Sequence, residues 1–170
     1  MSADLPRFWN ADKELSIFPE WKGDGSEYMR LVAPMDIDRV TEQGLLFTAK
    51  FHIYSPDSCV TFQLEYQSRE FPKGRPFARF EWKPKAPHNN KGLGPENLKY
   101  TLMHGTHFHP FDLNWQHSEV KVRRGELPIA LPVTQNIETF EDALEFTRNL
   151  FRINNVAEIH MPPWTTKKWL

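Results

Sequence analysis

The chain has 170 residues, a formal net charge of −1, 39% hydrophobic and 14% aromatic residues, and a mean hydropathy of −0.60. This balance fits a single domain over residues 1–170, long enough to bury roughly two-thirds of the surface its unfolded chain exposes. It gives no overall electrostatic pull toward nucleic acid, and no apolar run approaches the ~18 residues of a membrane span.

Residues 1–10 lack the basic and apolar regions of a secretory leader, so the expected location is the cytoplasm, with no membrane partner. The single cysteine, Cys59, excludes an intramolecular disulfide and a cysteine-rich zinc site, and its place in an expected strand reads as a buried, inert thiol. Two small basic clusters, Lys73 with Arg75 and Arg79, and Lys121 with Arg123 and Arg124, read as solvated turns or strand edges.

In chain order, residues 1–30 form an irregular, aromatic-rich arm. Phe8, Trp9, Phe18, Trp21 and Tyr28 stand among Pro6, Pro19, Gly23 and Gly25, a composition that wraps over a sheet and does not make a long helix. Residues 31–133 form the sheet. A short strand over 30–34 precedes a turn holding Asp36 and Asp38. Residues 45–54 alternate with Phe47, Ala49, Phe51 and Ile53 on one face, and 59–67 with Val60, Phe62, Leu64 and Tyr66, the pattern of a hairpin buried on one side. Residues 76–83 point Ala78, Phe80 and Trp82 inward and Arg79 and Glu81 outward. Pro84 and Pro87 end that strand. After a Gly-rich loop, residues 99–109 return to strand, 111–115 continue as an irregular edge, 120–126 form a turn, and the two prolines of 127–133 confine that segment to an edge.

The helix is expected over 139–151, with Thr139 as cap, Asp142 at the capping-box position, and Phe140, Ala143, Leu144, Leu150 and Phe151 as the buried stripe. A short strand and tail follow over 156–170. Strands followed by one helix predict an α+β fold: a curved antiparallel meander of about five to seven strands with the C-terminal helix packed on one face.

Chemistry concentrates between Ala86 and Trp115, which holds four of the seven histidines: His88, His104, His107 and His109, together with Asn89, Asn90, Lys91, Asp112 and Asn114. On a strand His107 and His109 share a face and His104 points away, unless a bulge at Gly105 swings it round. Three readings follow. In the first, His107 and His109, with His104 beside them, act as a metal-free acid/base set on RNA, while His88, Asn89, Asn90, Lys91 and Asp112 position the substrate. In the second, His104, His107, His109 and Asp112 hold a divalent transition metal, although no carboxylate stands at the spacing that cupin metal sites use. In the third, the cluster only ties loops to a sheet edge; a reading of another class makes the chain a non-catalytic module whose aromatic arm and edge segment Leu127 to Val133 recruit a protein partner or a second copy of itself.

The order of Phe80, Glu81 and Trp82, then Pro87, His88, Asn89 and Asn90, then His107, Phe108 and His109, resembles small prokaryotic families that pair a PH-x-N loop with an H-x-H strand, some of them TumE-like and found in toxin–antitoxin or mobile-element operons. The resemblance covers Arg79 to Ile153. It implies a microbial toxin-like or defence-associated protein with a cognate antitoxin as partner and His88, His107 and His109 as functional positions. The Gly92 to Pro95 loop and His104 depart from that pattern.

Overall fold

The computed structural model describes residues 2–165, so the end of the expected tail lies outside the described residues. Its elements, in order, are α1 (Leu5–Asn10), β1 (Glu14–Leu15), β2 (Lys22–Gly23), β3 (Tyr28–Ile37), β4 (Val40–His52), β5 (Val60–Tyr66), β6 (Arg75–Trp82), β7 (His88–Asn89), β8 (Leu102–Met103), β9 (His107–His109), α2 (Phe111–His117), α3 (Glu119–Arg123), β10 (Leu131–Pro132) and α4 (Phe140–Phe151). This is the α+β class expected from the sequence. Eight strands make one antiparallel sheet in the order β1-β3-β4-β5-β6-β9-β10, with β2 on β3, and β7 and β8 pair separately. The extra strands beyond five to seven are two-residue edges.

Strand alternation divides the sheet into two faces of opposite character. Phe47, Ala49 and Phe51 of β4, Val60, Phe62 and Leu64 of β5, and Ala78, Phe80 and Trp82 of β6 are all fully buried, and each large side chain so removed from water contributes about 1.5–3 kcal/mol. Helix α4 covers them with Phe140, Ala143, Leu144 and Phe151, and Thr147 completes the stripe while Leu150 is only half-buried. The reciprocal capping box of Thr139 and Asp142 fixes where this helix starts. Phe62 stacks on Phe80 at 5.5 Å and on Phe140 at 6.1 Å between centroids, which joins the central strands to the helix.

The aromatic arm does cover the sheet. Trp21 meets Phe51 edge-on and donates from its indole to the His160 carbonyl, and α1 buries Leu5 and Phe8. Trp164 packs on Phe51 and Phe140 from the other end of the chain. Four local readings change. Residues 99–109 are not one strand, because Gly105 at φ +81° makes a turn between β8 and β9. Residues 111–117 and 119–123 are short helices, since Pro110 ends the strand and Ser118 caps α3 through the Lys121 amide. Residues 156–158 form a 3₁₀ turn where a strand was expected. Cys59 precedes β5, half-buried at φ +55°, with its thiol directed at the Lys83 carbonyl.

Lys13 locks the arm to the far end of the chain. Its amide donates to Arg152, its carbonyl accepts from Asn154, and its buried ammonium donates to the carbonyls of Phe8, Trp9 and Ala11 at the end of α1. Those carbonyls favour the charged form, but burial, helped by Arg152, wins and lowers the pKa from 10.5 to about 7. Between these values the unfolded chain holds one more proton here than the folded chain, so this position's contribution to stability rises with pH across that window. Lys13→Met is expected to abolish this part of the pH-dependent rise in urea titrations, its loss of unfolding free energy relative to wild type being smallest near neutral pH and growing across the window.

Candidate functional site

The face of the sheet opposite the core carries the polar set. In register, Arg79 stands across from His109, Phe80 from Phe108, and Glu81 from His107. Because directly paired residues share a face, Phe80 and Phe108 turn to the core side, where Phe108 meets Phe146 of α4, while Arg79, Glu81, His107 and His109 point the other way. His88 arrives separately, on the small β7–β8 hairpin where it pairs with Met103.

The three imidazoles converge. One ring nitrogen from each of His88, His107 and His109 lies within 4.8 Å of the others, close to the ~3–4 Å between nitrogens that share one ion through ~2.1 Å bonds. Each ring also has one nitrogen engaged by fixed oxygen acceptors. His107 Nδ1 faces the Gly105 carbonyl at 2.9 Å, His109 Nδ1 the Leu127 carbonyl at 2.7 Å, and His88 Nε2 the Pro128 carbonyl at 3.1 Å and Asn90 Oδ1 at 3.0 Å. Only a ring N–H satisfies such acceptors, so in the neutral rings these contacts fix the tautomers and leave a lone pair on His107 Nε2, His109 Nε2 and His88 Nδ1.

Glu81 completes the group. Its carboxylate lies 2.7 Å from His107 Nε2 and 3.5 Å from His109 Nε2, yet both nitrogens are buried without a properly aligned hydrogen-bond partner. Burial opposes ionisation of Glu81, but the two imidazoles outweigh it and hold the carboxyl far below the usual carboxylate range. Burial also pulls on both imidazoles. In His107 the nearby carboxylate overrides it and the pKa rises, whereas His109, farther from Glu81 and beside Arg79, shifts down. Any proton shared with Glu81 therefore sits on His107.

What holds the rings is a strap over residues 127–130, gripped by two buried asparagines. Asn90 donates to the Ala130 carbonyl at 3.1 Å and accepts from the Ala130 amide at 2.9 Å. Asn114, from α2, donates to the Ile129 and Pro110 carbonyls and accepts from the Ile129 amide. Each amide side chain thus acts as a missing strand neighbour. The strap in turn presents the Leu127 and Pro128 carbonyls to His109 and His88. Gly94 adds to the fit, since a Cβ there would come 2.9 Å from Ile129 and its φ is +77°.

Of the residues singled out from the sequence, His88, His107 and His109 come together. His104 is exposed on the Gly105 turn, on no bulge and outside the cluster. Asn90 belongs to the strap. Asn89 caps its own turn by accepting from the Lys91 amide, Lys91 is exposed, and Asp112 is exposed and accepts from the Trp9 indole. Glu81 is the addition, and Asn114 proves to grip the strap. Alternation had already put Glu81 on the polar face, but only strand pairing reveals that this face is shared with the histidines.

Glu81 and Arg79 line a groove of about 1180 Å³ that runs along the polar face, whereas the three histidines do not reach its surface. No helix among the described residues is long and apolar enough to cross a membrane. Asn114→Ala is expected to cost about 3 kcal/mol in denaturant unfolding, because it strips partners from a buried amide and two carbonyls. Gly105→Ala should cost about 1 kcal/mol through positive φ alone, since open space surrounds a Cβ there.

Compared with known proteins, the chain matches no family model, no curated protein and no solved structure.

Proposed function

We propose that the protein binds one divalent first-row transition ion through His88, His107 and His109, with Glu81 in reach as a fourth ligand, and that this centre is the active site of a metal-dependent enzyme. One observation carries the reading. Three imidazoles each have one nitrogen tied to fixed oxygen acceptors, and one ring nitrogen of each lies within 4.8 Å of the others, beside a carboxylate. Orienting a ligating imidazole through its other nitrogen is the usual outer-shell arrangement of histidine metal sites. An ion would also supply the electrophile that the buried Nε2 atoms of His107 and His109 lack.

Nitrogen-rich ligation suits zinc, iron, cobalt or nickel better than magnesium or calcium. Three histidines leave positions for Glu81 and for an exogenous ligand arriving from the groove, as catalytic sites require and closed structural sites do not. A bound ion there supplies Lewis acidity, activating a coordinated water or substrate oxygen. The protein's own part is to fix the three rings, with the Glu81 carboxylate between them and the groove.

One observation favours a second reading, metal-free acid/base cleavage of RNA by a toxin-like protein. The Glu81 and His107 pair at 2.7 Å, with the imidazole pKa raised, forms an ionised couple able to move a proton. Metal analysis separates the two. On the metal reading, purified protein dialysed against limiting zinc or cobalt holds one ion per chain and melts several degrees higher with the ion than without. His88→Ala and His109→Ala lose that stoichiometry and that shift, Glu81→Gln weakens binding roughly 10- to 100-fold, and His104→Ala binds as the wild type does. A wild-type chain that holds no ion and gains no thermal stability, yet cleaves RNA in a His107-dependent way, would replace this reading with the second.

A further inference from the structure

Arg79 is the charged group closest in register to the cluster that the metal centre leaves unused. It stands opposite His109 and shares its strand face with Glu81 two residues on. Among the described residues no carboxylate pairs with it. The nearby carboxylate, Glu65, is buried and already taken: Arg30 Nη2 binds both its oxygens at 3.0 and 2.9 Å, and Thr48 donates to it at 2.9 Å. Between Glu65 and Arg79 stands Gln63. Its amide fits with the nitrogen donating to Glu65 at 2.8 Å and the oxygen accepting from Arg79 Nε and Nη2 at 2.8 and 3.3 Å. Gln63 therefore occupies two of the five guanidinium donors and contributes no charge.

The charge balance at this end of the groove follows. The groove's lining carries six cationic side chains, Arg79 among them, against the four carboxylates of Glu20, Asp24, Glu65 and Glu81, so a divalent ion adds to an existing positive excess. A fixed guanidinium beside a dication is unfavourable unless an anion joins them. The remaining fork of Arg79 has the shape that takes an oxyanion through paired N–H bonds.

We infer that the substrate is a small organic anion, with a carboxylate or phosphate group seated on Arg79 and the adjoining part of the molecule facing the metal. This rests on the metal reading above. Arg79 is then a substrate-binding residue, Gln63 sets its guanidinium in place, and Glu65 orients Gln63 while Arg30 keeps Glu65 neutralised.

The test uses the full chain loaded with cobalt(II), whose visible spectrum reports ion binding and ligand entry separately. Succinate, acetate and inorganic phosphate are titrated into wild type, Arg79→Gln and Arg79→Lys. The expected result is an unchanged starting spectrum in all three proteins and saturable perturbation of the wild type by succinate or by phosphate, whichever group the site prefers. Arg79→Gln should need roughly tenfold or more anion for the same change, with Arg79→Lys in between. If cobalt binds and no anion perturbs the wild type, or Arg79→Gln titrates like the wild type, the anion inference is overturned and the metal reading stands. If no cobalt spectrum forms in the wild type, the metal reading falls, and this inference with it.

Discussion

The structure depends on the pairing of β6 with β9. In that register Glu81 meets His107 and Arg79 meets His109, with Phe80 and Phe108 on the reverse side. A strand shifted by one residue exchanges its faces, which would drive two imidazoles toward α4 and turn a phenylalanine to the groove. The burial of Phe80 in the core, stacked against Phe62, therefore sets the position of the site. Core energetics and site geometry are two sides of one ladder.

A second constraint is the use of asparagine as a substitute for backbone. Asn90 and Asn114 each bond in both directions to the 127–130 strap, and Asn155 does the same to Leu15 at the opposite end of the protein. Such segments are too irregular, and in the strap too rich in proline, to join a ladder along their length. A buried amide supplies the donor and acceptor that a neighbouring strand would have offered. The cost is that each asparagine is committed to holding structure, so Asn90 acts on His88 and the strap, with its own polar atoms already taken.

The polar face also has a gradient of electrostatic completion. Toward β3 the charges are closed, as in the pair of Arg30 with Glu65. Toward β9 they are open, with Arg79 held by a neutral amide and two imidazole nitrogens without aligned partners. Among the described residues, two of the three buried side-chain atoms without a hydrogen-bond partner lie at this end, the third being the Trp164 indole nitrogen, a distribution that supports the proposed binding site.

Much of this was present in the sequence itself. Period-two alternation from Phe47 through Trp82 determined the core face, and the Thr139 and Asp142 box with its apolar stripe determined the last helix, because both are local patterns that the backbone geometry enforces. The H-x-H step likewise determined that His107 and His109 point the same way. Tertiary structure alone decided the rest. His88 enters from a two-residue strand, Glu81 from the neighbouring strand, and the carbonyls that face His109 and His88 from a strap about twenty residues downstream of the H-x-H step. None of these partners lies at a spacing that one chain segment specifies; they meet only when separate strands adopt a common register. His104 makes the same point in reverse: close in sequence to the other two, it is turned away by the left-handed backbone at Gly105.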